Sequence, residues 1–276
     1  MRPVSTGGRV ALVTGASSGI GMATAERLAR EPGMELILIA RREERLRGLA
    51  ESLRCSASWV AVDLTAEDAP GRILAHVEER GGHLHLLVNN AGAAWRGGFA
   101  ETGYANVRRH MEINFDAVVR LTETLLPTLR RCAPSAIVNV ASTAGRVARA
   151  RSGAYSASKF ALIGWSDALH LEEAPHRVHV GVVLPGFIPT EGFPATELRE
   201  RAFTRMLLSS PERVAEAIYQ AGPGRRAERY VPRPYALAAA SRVLLPGLVR
   251  RVLGSGAADS LTTSTLGDAT GAADEH

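Results

Sequence analysis

The chain has 276 residues, 46% hydrophobic and 22% charged, enough for one large domain with a buried core or two small ones. Its two cysteines, Cys55 and Cys132, are too few for a disulfide framework or a CxxC metal site and are expected as reduced thiols; the eight histidines show no metal-ligand spacing. The net charge of +5 is uneven: 257–276 holds Asp259, Asp268, Asp274 and Glu275 and no Arg, which leaves a body of about +9.

That body lacks the interleaved aromatic and basic residues of a nucleic-acid platform, so a phosphate-bearing small ligand is the better match to its charge. "MRPVSTGGRV" has no apolar h-region, and no uncharged apolar run approaches the roughly 20 residues of a membrane span. A cytoplasmic location is expected.

In chain order, short β-branched runs alternate with longer amphipathic ones. The first strand, "RVALVT" (9–14), runs straight into "GASSGIG". Gly15, Gly19 and Gly21 there follow G-x-x-x-G-x-G between a strand and a helix (19–31). Such a turn brings backbone N–H groups close to a pyrophosphate, and Ser17 and Ser18 add hydroxyl donors. The second strand, "ELILIA" (35–40), ends in Arg41 and Arg42 where NAD sites commonly carry an acid. Arginine there suits a 2′-phosphate, so NADP is favoured over NAD, with Arg41 ahead of Arg42. A helix (43–54), the strand "SWVAV" (58–62), a helix (67–80) and the strand "LHLLV" (84–88) follow. A long helical stretch (103–131) holds Asn114 on apolar ground, for binding a relay water or for satisfying neighbouring backbone. The strand "AIVNV" (136–140) leads to Ser142, whose hydroxyl can hold a substrate oxygen. A helix (154–173), the strand "VHVGVVL" (178–184), a helix (211–221) capped by Ser210 and Pro211, and a short strand near "RYV" (229–231) complete the pattern. The alternation predicts an α/β chain with a parallel sheet covered on both faces.

Lys159 is the only lysine; the other 32 cationic side chains of the Lys and Arg count are Arg. It stands four residues after Tyr155 in "SGAYSASKF", on the same helix face. A compact ammonium there is expected to favour the phenolate and bring Tyr155 into acid–base range, and to donate to a ribose.

Taken together, "TGASSGIG" (14–21), "NNAG" (89–92), Asn114, Ser142, "YSASK" (155–159) and "PGFIPT" (185–190) resemble the classical short-chain dehydrogenases/reductases over residues 8–221. The resemblance implies a single-domain Rossmann-like three-layer sandwich with a seven-stranded parallel sheet. It implies the tetrad Asn114, Ser142, Tyr155 and Lys159. It places the cofactor against Gly15, Ser17, Ser18, Gly19, Ile20 and Gly21, with Asp63 and Leu64 near the adenine. Asn90, Ala91 and Gly92 would flank the adenosine ribose, and Pro185, Gly186, Ile188 and Thr190 the nicotinamide carboxamide.

Within an expected domain of 1–256, residues 187–210 would form a flap in which Phe187, Phe193, Phe203, Met206 and Leu207 line an apolar pocket; 257–276 reads as a disordered tail. The extension 231–256, apolar with Arg233, Arg242, Arg250 and Arg251, could cover the substrate mouth, dock on a second subunit of a homodimer or homotetramer, or touch an anionic membrane through 235–253. The expected activity is an NADP(H)-dependent interconversion of a secondary alcohol and a ketone or aldehyde, with a bulky or lipophilic substrate. The competing reading is a cofactor-binding sensor or scaffold without turnover.

Overall fold

The computed structural model describes residues 8–189 and 208–254. Seven parallel strands lie in the order β3-β2-β1-β4-β5-β6-β7. They are β1 (Arg9–Thr14), β2 (Met34–Ala40), β3 (Ser56–Ala61), β4 (Leu86–Asn89), β5 (Ser135–Val140), β6 (Val178–Pro185) and β7 (Glu228–Val231). Each lies within two residues of its expected bounds at either end.

Alternation along the strands sorts the core into two layers. In β1, Ala11 and Val13 face one side and Val10 and Leu12 the other. The first side is covered by α1 (Gly19–Leu28), α2 (Glu43–Ser52) and α7 (Pro211–Ala221), through Leu28, Leu46, Leu49, Val214 and Ile218. The second is covered by α3 (Ala69–Glu79), α5 (Ala117–Arg131) and α6 (Gly153–Glu173), through Ile73, Val77, Leu121, Leu125 and Leu169. Both faces of the central strands are dry, which accounts for their near-continuous apolar sequences. The Ser210 hydroxyl caps α7 by accepting from the Arg213 amide.

The expected helix 103–131 is divided. α4 (Phe99–Met111) bends at Gly103, where φ is 57° and ψ −161°, and a π-turn at Glu112–Asp116 joins it to α5. The widened turn carries Asn114, fully buried. Single π-turns of this kind commonly sit at functional positions. Apolar periodicity runs through the turn unbroken, so the sequence pattern does not betray it.

The extension folds as α8 (Tyr235–Leu244) and α9 (Pro246–Gly254). At its start the Tyr235 ring packs over Gly186, only 2.3 Å from where a Cβ would stand there, so the extension reaches the mouth of the sheet. Farther along it turns large apolar side chains outward: Val243 is 77% exposed and Leu244 76%. Residues 190–207 and 255–276, which hold most of the expected flap and the tail, lie outside the described residues.

One hydroxyl ties the carboxyl ends of β1 and β4. Thr14 Oγ1 donates to the Val88 carbonyl and accepts from the amides of Asn90 and Ala91, at 3.2, 2.9 and 3.0 Å. Thr14→Val keeps the shape but leaves both amides without that acceptor. It is expected to destabilise the chain by about 1–3 kcal/mol in urea unfolding, whereas Thr14→Ser stays near the parent.

Candidate active site

Strand order reverses between β1 and β4, and a crevice opens there at the carboxyl ends of the strands, where open α/β sheets bind their ligands. The turn after β1 enters it with Gly15 at φ 67°. Gly21 lets α1 close on that turn: a Cβ would stand 2.1 Å from the Gly15 carbonyl oxygen. The first turn of α1 holds no acid, and the N-cap Ser18 makes no side-chain capping bond, so its amides and positive dipole end are left for an anion. Ile20 instead packs on the core.

The Arg42 Nη2 donates to Ser17 Oγ and Ser18 Oγ, both at 3.1 Å. The charge of Arg41 acts on Asp63. Burial alone would raise the Asp63 carboxyl, but the Thr65 amide and hydroxyl, with Arg41, hold it below the usual carboxylate range. The arginine on the turn is therefore Arg42, where the sequence put Arg41 first. Leu64 is half-buried beside Asp63 and its carbonyl accepts from Arg120. This donor set fits a phosphate-bearing dinucleotide.

The Asn90 side-chain amide donates to the Thr14 carbonyl at 2.9 Å, which holds the loop after β4 to β1. Gly92, next along, has no room for a side chain: a Cβ would stand 2.6 Å from Asn114 Oδ1 and 3.5 Å from Lys159 Nζ. Asn114 accepts from the Ala93 amide at 3.0 Å and donates to the Ala93 carbonyl at 2.9 Å and to Ser158 Oγ at 3.2 Å. Its side chain thus satisfies neighbouring backbone, one of the two uses read from the sequence.

On the next strand, Ser142 is extended and 8% exposed, its Oγ accepting from the Ala144 amide and donating to the Pro185 carbonyl. Tyr155, half-buried on α6, has the Ser142 hydroxyl near enough to its phenol to lower its proton affinity. One turn on, Lys159 is 4% exposed and donates to the Val140 carbonyl at 2.9 Å. Its Nζ stands 5.9 Å from the centre of the Tyr155 ring.

The electrostatics correct one expectation. Burial pushes the Tyr155 phenol up; the opposing pull comes from the Ser142 hydrogen bond and from Arg149 and Arg96, not from Lys159. Burial also pushes Lys159 down to about 8. Removal from water disfavours the charged form of both groups, and this outweighs their proximity. Gly186 and Ile188 border the end of β6, with Ile188 buried; Thr190 lies outside the described residues.

Residues 9–200 match the short chain dehydrogenase family. The chain belongs to that family. This short-chain dehydrogenase is accordingly an NAD(P)-dependent oxidoreductase acting on CH–OH donors. It is 35% identical to a putative ketoacyl reductase of Streptomyces coelicolor, over 78% of this chain and 90% of that protein. It is 30% identical to the ketoacyl reductase HetN of Nostoc sp., over 78% of this chain and 75% of that protein. The crystal structure of a short-chain dehydrogenase from Streptomyces avermitilis matches it with a TM-score of 0.75 at 31% identity, covering 93% of this chain and 99% of that one.

Three site residues of the dehydrogenase escaped the sequence reading. His110 is fully buried, with Nδ1 2.7 Å from the Asn106 carbonyl and Nε2 accepting from the Trp95 amide. Those partners require a neutral ring with its proton on Nδ1, and burial holds its pKa below the usual value. The ring meets Tyr155 edge-on at 6.1 Å. Its spacing of four from Asn114 was the available signal. Arg96 and Arg149 carried none, because arginine is the ordinary cation of this chain.

The burial of Lys159 has a measurable sign. Below about pH 8 the ammonium is charged in both folded and unfolded chains; from there to 10.5 only the unfolded chain keeps the proton, so stability rises with pH. Lys159→Met removes this increment. By calorimetry without cofactor, the Tm of the variant minus that of the parent should fall by about 5 °C between pH 8 and pH 10.

Proposed function

We propose that this short-chain dehydrogenase is an NADP(H)-dependent carbonyl reductase that interconverts a secondary alcohol and a ketone or aldehyde. One observation carries the reading: the Ser142 hydroxyl acts on the buried Tyr155 phenol at the carboxyl end of β5, with Lys159 one turn along α6 and tied to the end of the same strand. Two hydroxyls so arranged can hold one substrate oxygen between them. Ser142 orients that oxygen, and Tyr155 gives it a proton during reduction or takes one during oxidation. Lys159 remains available to donate to a ribose and to return a proton to the phenol. Asn114 acts at one remove, by fixing the Ala93 backbone and Ser158.

When bound, the nicotinamide supplies or accepts the hydride. Gly15, Gly19 and the N-terminus of α1 would hold the pyrophosphate, and Arg42 with Ser17 and Ser18 the 2′-phosphate, with Arg41 beside it. The absence of an acid between Ala40 and Arg42 supports NADP over NAD. The names of the two ketoacyl reductases support reduction of an oxo group. Most of the apolar flap from which a lipophilic substrate was expected lies outside the described residues.

Consumption of NADPH over a panel of ketones and aldehydes tests the reading. Tyr155→Phe should lower kcat by about 10²–10⁴, while NADPH binding, followed by fluorescence, stays within a few-fold of the parent. Equal rates in parent and variant would remove Tyr155 from the chemistry and leave a cofactor-binding sensor or scaffold as the better description. The cofactor choice is tested separately. Arg42→Ala should weaken NADPH binding about tenfold or more, with NADH binding little changed; a parent that binds NADH as tightly as NADPH contradicts the assignment.

A further inference from the structure

Two arginines stand at the mouth of the cleft, and the reaction outlined above uses neither. Arg149 lies on the connection between β5 and α6, the same connection that presents Ser142 and Tyr155. Arg96 lies on the loop that follows Gly92. Each contributes its charge at the Tyr155 phenol, and the charge of Arg96 also acts on Arg149. Arg149 stacks with its Cζ 4.5 Å from the centre of the Phe187 ring. Tyr235, at the start of α8, faces it as well.

The neighbours of Arg149 on the same loop make the contrast. Arg146 pairs with Glu228 at 2.8 Å, and Arg151 with Glu101 at 2.7 Å. Elsewhere, Arg27 pairs with Glu31 and Glu216, and Arg130 with Glu173. Half-buried Arg149 has rings and a second guanidinium around it, and among the described residues no carboxylate pairs with it. Keeping a desolvated cation beside a like charge costs free energy unless an anion joins them. Arg149 has no such acid among the described residues, and its charge acts on the Tyr155 phenol, the group that would meet the substrate oxygen.

Resting on the reading of the site as a carbonyl reductase, we propose that Arg149, with Arg96, binds an oxyanion group carried by the substrate itself, on the side of the carbonyl away from the nucleotide crevice. The planar fork of a guanidinium suits carboxylate or phosphate, and the Phe187 and Tyr235 rings supply the walls between which the rest of the molecule fits. The substrate is then an oxo acid or a phosphorylated carbonyl compound rather than a neutral lipid ketone.

The test uses the full chain with NADPH and matched pairs: 2-oxo to 5-oxo carboxylic acids beside their methyl esters, and dihydroxyacetone phosphate beside dihydroxyacetone. The expected result is a kcat/KM at least tenfold higher for the charged member of one pair. Arg149→Leu should abolish that preference mainly through KM, and Arg149→Lys should restore part of it. A variant that lowers both members of a pair alike, leaving their ratio intact, would show that Arg149 only tunes Tyr155 or supports the loop, and would overturn the proposal. A parent that handles both members equally would do the same. Calorimetric titration of each charged compound into the NADPH-saturated chain separates this inference from the reading beneath it. Binding that Arg149→Leu removes, without turnover of any pair, would sustain the oxyanion site and count against the reductase. Turnover of neutral carbonyls with no binding of any anion would sustain the reductase and end the oxyanion site.

Discussion

The site depends on a two-point clamp. One side-chain amide, that of Asn114, meets both the N–H and the C=O of Ala93, as a neighbouring strand would, and reaches Ser158 with its remaining hydrogen. Three pieces of chain that are distant in sequence are fixed by it: the loop leaving β4, the π-turn before α5 and the first turns of α6. The clamp can close only because Gly92 leaves the space in which Asn114 Oδ1 stands. Its counterpart on the other side of the crevice is the Thr14 hydroxyl, which joins β1 to the same loop. Between these two ties the carboxyl ends of β1, β4 and β5 are held in register, and the cofactor turn and the proton-transfer pair face each other across them.

Desolvation governs the chemistry set within that frame. A phenol and an ammonium brought together in water would favour phenolate. Here burial shifts each toward its neutral form, raising the phenol and lowering the ammonium, which stays charged below about pH 8. Phenolate character has to come from elsewhere: from the two guanidinium groups at the mouth, and from the Ser142 hydroxyl once its proton turns from the Pro185 carbonyl to the phenol. The placement of those groups also means that whatever neutralises them on binding would change the proton affinity of Tyr155. Substrate charge and proton transfer are coupled through the same few ångströms.

The parallel sheet, the alternation of helix and strand, and the small set of residues around Tyr155 were legible in the sequence because each rests on local chemistry: β-branched runs, glycine turns, hydroxyls at strand ends. The π-turn was not, since no residue type marks a single widened turn within a helical stretch. The division of labour between Arg41 and Arg42 was also hidden. Adjacent side chains leave a helix start in different directions, and only the three-dimensional path sends Arg42 to the turn and Arg41 to Asp63. Asn114 was singled out as a buried amide in need of partners, but that the Ala93 backbone would supply two of them depended on where that loop came to rest. Arg149 was invisible for a compositional reason. In a chain that makes nearly all its cations from one residue type, a special member looks like the rest; by the same reasoning the single lysine stood out.

The confinement of that lysine to the core makes an unusual reporter. A protease that cleaves after lysine has one target in the whole sequence, and it sits in the middle of α6 with its side chain against the end of β5. Two fragments can appear only when that helix has come away from the sheet. Cleavage rate would thus read the opening of the catalytic helix directly, with no label and no background from the surface.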